Sequence, residues 1–130
     1  MTGIEPELWV DGAGGAVGFY EAAFGATTLL RVGDGEDIVA RLAVGEARFW
    51  VAAADPAAGR LGPAAAGGRT GRTLLLVDDP AEVLARAVAA GATQTSPVAD
   101  EHGWRVGRLV DPYGHEWELA REPEPAQKSR

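Results

Sequence analysis

The sequence predicts an α+β fold built from two copies of one βαβββ module. Residues 8–27 and 75–93 follow the same plan, in which an apolar run ends in Val-Asp, an Ala-rich segment follows and the copy closes with Gly-Ala-Thr. Three extended segments separated by Gly-containing or Asp-containing turns follow each predicted helix. Repetition of a whole strand-and-helix unit restricts the fold more than a single motif does. We therefore expect one domain over 1–121, with module 1 at about 4–53 and module 2 at about 72–121.

The two helices are marked by different signals. The first is predicted at 13–24, because apolar side chains recur there at helical spacing and Gly25 suits the left-handed conformation that ends a helix. In the second, Asp79 is a candidate N-cap, Glu82 completes a capping box and Gly91 ends the helix. Both helices are short and amphipathic, and they are predicted to pack on one sheet.

The remaining segments are extended strands and connections. Strands are predicted at 27–32, 38–44, 47–52, 93–98, 104–110 and 116–120. The segment 54–71 is rich in Gly, Ala and Pro, which favours a linker between the modules over a mobile lid. Residues 122–130 are predicted to form a polar tail.

Composition excludes several classes of protein. The 130 residues include no cysteine, so disulfides, thiolate metal sites and cysteine nucleophiles are excluded. A formal net charge of -7 argues against a nucleic-acid partner, and no stretch is apolar over the ~20 residues that a membrane span requires. Lys128 is the sole lysine and Ser96 the sole serine inside the domain, so Schiff-base and serine-nucleophile chemistry are not expected. We expect a cytoplasmic protein with no membrane partner.

Three motifs carry a resemblance to a known superfamily: FYEAAFGA at 19–26, VDDPAEVLARAVAAGA at 77–92 and DPYGHEWELA at 111–120. In this order and spacing they resemble the vicinal oxygen chelate superfamily, which includes glyoxalase I, extradiol dioxygenases, fosfomycin-resistance enzymes and bleomycin-resistance proteins. The stretch at 102–117 is most similar to the branch called PhnB-like. The resemblance covers about 4–121 and implies a cupped mixed sheet, a homodimer and a ligand site inside the cup.

The resemblance also points to four strand positions that supply His and Glu ligands in metal-dependent members of the superfamily. Here they fall on Glu5, Trp50, Arg72 and Glu118. An indole has no lone pair to donate and a guanidinium stays protonated, so only two of the four positions offer metal ligands. Neither histidine lies on a strand, and His115, in a tight turn, is predicted to bond the backbone. A divalent transition-metal site generally needs three or four protein ligands, so we predict no metal and no other cofactor.

Strand parity divides the side chains between two faces of the predicted sheet. One face is apolar and suited to pack beneath the helices: Leu8, Val10, Phe49, Val51, Leu75, Val77, Trp117 and Leu119. The other is predicted to bind the ligand, and it carries Glu5, Glu7, Trp9, Arg48, Trp50, Arg72, Leu74, Glu116 and Glu118. Indoles beside charges of both signs suit a planar or cationic ligand.

These side chains also have structural interpretations. Trp9 and Trp50 suit a role in packing or in a dimer interface as well as they suit ligand binding. Arg72 with Glu118 is foremost an ion pair, with capture of a substrate carboxylate or phosphate by an arginine as the alternative. Glu5 and Glu118 suit a general acid and base only if they face each other in the cup. The segment from His102 to Trp104 suits either a pocket rim or a mobile loop.

The predicted function is binding of a small organic ligand, aromatic or cationic in the manner of an antibiotic, in the cup of a homodimer that lacks the usual metal site. Catalysis is not favoured. The first alternative is a metal-dependent lyase, isomerase or dioxygenase whose displaced site uses Glu5, Glu118 and a histidine. The second is a noncatalytic structural or regulatory dimer whose cup is filled by side chains.

Overall fold

The computed structural model describes residues 1–124. Its elements, in chain order, are β1 (Glu7–Val10), α1 (Ala13–Phe24), β2 (Thr27–Asp34), β3 (Asp37–Val44), β4 (Ala47–Ala53), α2 (Pro63–Ala66), β5 (Arg72–Leu76), α3 (Pro80–Ala89), β6 (Thr93–Glu101), β7 (Trp104–Val110) and β8 (Glu116–Arg121). The predicted polar tail lies mostly at 125–130, outside the described residues.

Both modules have the predicted βαβββ order, but their strands form two four-stranded sheets rather than one. The strand order is β1-β4-β3-β2 in module 1 and β5-β8-β7-β6 in module 2. In each sheet the first strand runs parallel to the last, and the other neighbours are antiparallel. Each module thus forms its own sheet, with its first strand at one edge. Within the described residues, no backbone pairing between strands joins the two sheets.

The helices begin and end close to the predicted positions. The helix α1 spans Ala13–Phe24 and ends at Gly25, whose φ of 69° is left-handed. At the start of α3, the Asp79 carboxylate accepts a hydrogen bond from the Glu82 N–H at 3.2 Å, which confirms the predicted N-cap. The helix itself ends at Ala89, and Gly91 follows with a φ of 120°.

The strands β2 and β6 extend beyond their predicted ends because the hairpin turns are tighter than the sequence indicated. Only two residues, 35 and 36, separate β2 from β3, and only His102 and Gly103 separate β6 from β7. The segment 54–71 connects the modules and contains a 3₁₀ turn at Pro56–Ala58 and the short helix α2.

One hydrophobic core joins the two modules. The helix α1 contacts α3, and its aromatic residues reach Trp117 on β8, with ring centroids 5.6 Å from Tyr20 and 4.8 Å from Phe24. The predicted apolar face is confirmed: Val10, Phe49, Val51, Leu75, Trp117 and Leu119 are buried, and Leu8 and Val77 are partly buried against them. Of the helices within residues 1–124, none has the length and apolar character needed to cross a membrane.

Candidate functional site

The side chains predicted to bind a ligand lie on the face of each sheet opposite the buried core, which we call the open face. Module 1 contributes Glu5, Glu7, Trp9, Arg48 and Trp50, and module 2 contributes Arg72, Leu74, Glu116 and Glu118. No side-chain hydrogen bond or ion pair in the described part of the chain joins the two groups, although Glu7 and Trp9 share the lining of one cleft with Arg72 and Glu116. Glu5 and Glu118 accordingly belong to two different charge clusters.

The module 1 cluster is centred on Glu5. Its carboxylate accepts hydrogen bonds from Arg41 Nε at 2.9 Å and Nη2 at 2.5 Å, and from Trp50 Nε1 at 2.9 Å. The same guanidinium lies 5.6 Å from the centroid of the Trp50 ring. The hydrogen bond from Arg41 is the main reason that the pKa of Glu5 lies below its usual value. Glu5 is therefore held as a charged acceptor, which is unsuited to donate a proton.

The module 2 cluster is centred on Glu118, whose side chain is only 8% exposed. Its Oε1 atom accepts from Arg108 Nε at 2.8 Å and lies 3.4 Å from Arg72 Nη2. The predicted ion pair between Arg72 and Glu118 is therefore present. Each arginine reaches a second carboxylate at 3.3 Å, Arg108 that of Glu101 and Arg72 that of Glu116. The hydrogen bond to Glu118 is the main cause of a raised pKa for Arg108.

Two arginines in these clusters, Arg41 and Arg108, were missed by the sequence analysis. They are equivalent in the two modules, because Arg41 stands opposite Trp50 in one ladder and Arg108 opposite Glu118 in the other. A signal was present in the sequence, since each arginine stands at a position with open-face parity on a predicted strand that is mainly apolar, although Arg105 shares the second strand.

The residues at the four superfamily metal positions do not fit a divalent cation. Both carboxylates among them, Glu5 and Glu118, are held by guanidinium groups, and a fixed positive charge beside a carboxylate opposes the binding of a second cation. The other two positions are an indole and a guanidinium. Throughout residues 1–124, no group of three or more His, Asp or Glu side chains is placed to hold a metal ion.

Two of the clefts that adjoin the predicted ligand-binding residues contain several of them. One, of about 350 Å³, opens on the module 2 sheet and is lined by Arg72, Leu74, Glu101, His102, Trp104, Val106, Arg108 and Glu118; we call it the module 2 cleft. Another, of about 340 Å³, lies where β1 approaches α2 and the start of β5, and its lining includes Glu7, Trp9, Arg72 and Glu116. Glu5, Arg48 and Trp50 line neither of these two clefts.

The two histidines have different surroundings. His115 Nε2 lies 2.8 Å from the carbonyl oxygen of Trp9, so it bonds the backbone as predicted, and it links the two modules. His102 occupies the β6–β7 turn with a φ of 54°, followed by Gly103 with a φ of 88°. A two-residue turn with both φ values positive matches the twist of a hairpin. This turn places His102 and Trp104 on the lining of the module 2 cleft.

The duplicated module, the shared core and the two open faces together define a protein of the paired βαβββ class. The glyoxalase-like domain family model matches residues 8–120, and the chain belongs to that family. An uncharacterized protein of Mycobacterium bovis is 36% identical over 126 residues, which cover 91% of this chain and 82% of the relative. The superfamily predicted from the sequence is confirmed, whereas the PhnB-like branch stays a prediction.

Solved structures share this fold over nearly the whole chain. TioX from Micromonospora sp. ML1 matches with a TM-score of 0.71 at 27% identity, covering 97% of this chain and 100% of that one. A gene product from Arabidopsis thaliana matches with a TM-score of 0.72 at 27% identity, covering 92% and 98%. A glyoxalase-related enzyme from Fulvimarina pelagi matches with a TM-score of 0.67 at 21% identity, covering 99% and 96%, and this likeness concerns the fold alone.

Proposed function

We propose that this protein binds a small organic ligand against its open faces without using the metal centre of its superfamily. One observation carries the proposal: arginines hold both carboxylates at the superfamily metal positions, Arg41 for Glu5 and Arg108 for Glu118. The indole of Trp50 stands beside the first pair and Trp104 beside the second. Aromatic walls next to fixed, hydrogen-bonded charges supply the stacking and the polar anchors typical of small-molecule sites.

Tryptophan fluorescence offers a direct test of ligand binding. Titration with a panel of aromatic compounds that includes cationic, neutral and anionic members is expected to give saturable quenching with at least one class. Replacing Trp50 by Ala removes a stacking surface worth roughly 0.5–2 kcal/mol, so affinity is expected to fall by about 2- to 30-fold. The variant Trp50→Phe keeps a ring at this position and serves as the matched control. A panel in which no compound changes the fluorescence contradicts the proposal, and full affinity in Trp50→Ala excludes the module 1 open face as the surface that binds the ligand.

The absence of the superfamily metal is tested by elemental analysis of protein purified without chelators. Substoichiometric Zn, Ni, Mn and Fe are expected, because the four positions carry no imidazole and their two carboxylates are bound by arginines. Stoichiometric metal that is lost in Glu118→Gln reverses the conclusion and supports the metal-dependent alternative.

We also propose that the ligand-binding unit is a homodimer. The open face of module 1 exposes Leu30, Val32 and Val39, and that of module 2 exposes Leu74 and Leu76. Exposed aliphatic side chains gathered on the face of a sheet are typical of an interaction surface. Because no hydrogen bond or ion pair joins the Glu5 and Glu118 clusters within the described part of one chain, a second copy is the partner that brings complementary open faces together into a cup.

A further inference from the structure

We propose that the module 2 cleft binds an anionic group of a flat organic ligand, such as an aromatic carboxylate, through Arg72 and Arg108. This inference rests on the proposed function and assigns both the site and the chemical class of the ligand. The cleft volume of about 350 Å³ falls in the range of about 300–1,000 Å³ that is usual for small-molecule sites.

The two arginines of this cleft are more exposed than the carboxylate that lies between them. The side chain of Glu118 is 8% exposed, whereas those of Arg108 and Arg72 are 25% and 41% exposed. Because Glu118 Oε1 already accepts from Arg108 and lies within ion-pair distance of Arg72, it is poorly placed to receive a ligand cation. The carboxylate therefore acts as the support that fixes the two guanidinium groups on the cleft floor.

Both guanidinium groups retain donors for an anion. In the described part of the chain, Arg72 reaches carboxylates through Nη1 and Nη2, and Arg108 through Nε and Nη2. Arg72 Nε and Arg108 Nη1 remain for a ligand oxygen, and planar guanidinium groups match the geometry of a carboxylate. Two arginines held by one buried carboxylate thus form a preorganised anion subsite.

The other lining residues favour a ligand in which the anionic group is attached to a flat, apolar ring system. Leu74, Val106 and Trp104 line the same cleft, so apolar and aromatic side chains stand beside the two arginines. Glu101 would compete with a bound ligand for Arg108. It is an exposed residue at the rim of the cleft, and its carboxylate lies 3.3 Å from Arg108 Nη2. A ligand carboxylate that binds Arg108 has to displace or share this contact, so Glu101 weakens ligand binding.

The test uses the full-length protein and three probes of the same shape but different charge: 1-naphthoate, 1-naphthamide and 1-naphthylmethylammonium. Calorimetric titration is expected to show naphthoate binding at least about tenfold more tightly than either other probe. Arg72→Gln is expected to lower naphthoate affinity by about tenfold, and Glu101→Gln to raise it. Arg105→Gln is the control, since Arg105 lies on β7 with Arg108, pairs with Asp100 at 3.2 Å and does not line the cleft.

A second variant guards against loss of folding. Arg108→Gln alone leaves the buried charge of Glu118 without its main partner, which can destabilise the fold. The double variant Arg108→Gln/Glu118→Gln removes both charges together. It is also expected to lose naphthoate affinity. Equal or tighter binding of the amine or amide, or full naphthoate affinity in Arg72→Gln, overturns this inference but leaves a ligand-binding function intact. Absence of naphthoate binding at millimolar concentration overturns it too, whereas the proposed function fails only if the whole panel is silent.

Discussion

Asp111 is one of the residues that link the two modules. It is 3% exposed, and its Oδ2 atom accepts hydrogen bonds from Tyr20 on α1 at 2.5 Å and from the Trp117 indole at 3.0 Å. Its Oδ1 atom accepts from the backbone N–H groups of Tyr113 and His115. A buried carboxylate with four donors is fully compensated. The DPYGH motif therefore serves the junction of the modules as well as the turn before β8.

The contact between Tyr20 and Asp111 predicts a stability change in alkali. Burial, followed by the nearby Asp111 charge, raises the pKa of Tyr20 well above 10.0. Above pH 10 the tyrosine of the unfolded chain loses its proton while the folded one keeps it, so folding stability falls as pH rises, by up to about 1.4 kcal/mol per pH unit.

The variant Tyr20→Phe separates this effect from other alkaline transitions. It is expected to cost about 1–2 kcal/mol at neutral pH through the lost hydrogen bond, and its stability is expected to fall less steeply above pH 10 than that of the wild type. Urea denaturation at pH 7 to 11 measures both quantities. Identical pH slopes for the two proteins would refute the assignment of the slope to Tyr20.

At the scale of elements, the start of α1 depends on close contact with the β2–β3 turn. A Cβ atom added at Gly14 would lie 2.6 Å from the carbonyl oxygen of Gly35, which is closer than real contacts allow. A Cβ added at Gly18, one turn further along the same helix, meets nothing within 4 Å. The two glycines therefore have different roles, although both lie inside α1.

Alanine substitutions at these two glycines are expected to change stability in opposite directions. Gly18→Ala is expected to stabilise the protein by about 0.5–1 kcal/mol, because glycine inside a helix carries an entropic cost. Gly14→Ala is expected to destabilise it by about 1–3 kcal/mol, because the helix has to move off the turn. Thermal unfolding of the two variants beside the wild type measures both effects. Equal shifts in the same direction would show that the turn yields without cost.

Local sequence signals predicted the helices and strands well. They did not predict which side chains pair across the sheets, because such pairs join residues far apart in the sequence. The bounds of α1 and the Asp79 cap follow from spacing and side-chain type within a few residues. The partner of Glu5 is Arg41, 36 positions away, and the pairing depends on how β3 aligns with β4. That alignment is decided by packing over the whole sheet, and the adjoining strand β2 contains a bulge between Thr28 and Leu30. The partners of Arg41 and Arg108 were therefore visible only in the assembled fold, whereas the pair of Arg72 with Glu118 was predicted from the sequence.

At the scale of the whole molecule, the open faces are the surfaces that the fold leaves without a partner. Cross-strand pairing places Val32 opposite Val39, and Val39 opposite Ala52, so the aliphatic side chains of module 1 lie side by side. The edge strands β1 and β5 border these faces, and unpaired strand edges also favour association.

Val39 gives the sharpest test of the proposed homodimer, because it is 39% exposed on the central region of the module 1 open face. We expect light scattering of the wild type to give about twice the chain mass of 13.5 kDa. Val39→Glu places an unpaired charge in the interface, which is expected to weaken association by about 2 kcal/mol or more. Val88→Glu is the control, since Val88 is similarly exposed at 43% but lies on α3, away from both open faces. A wild-type monomer at micromolar concentration, or equal effects of the two substitutions, would exclude an interface built on the open faces.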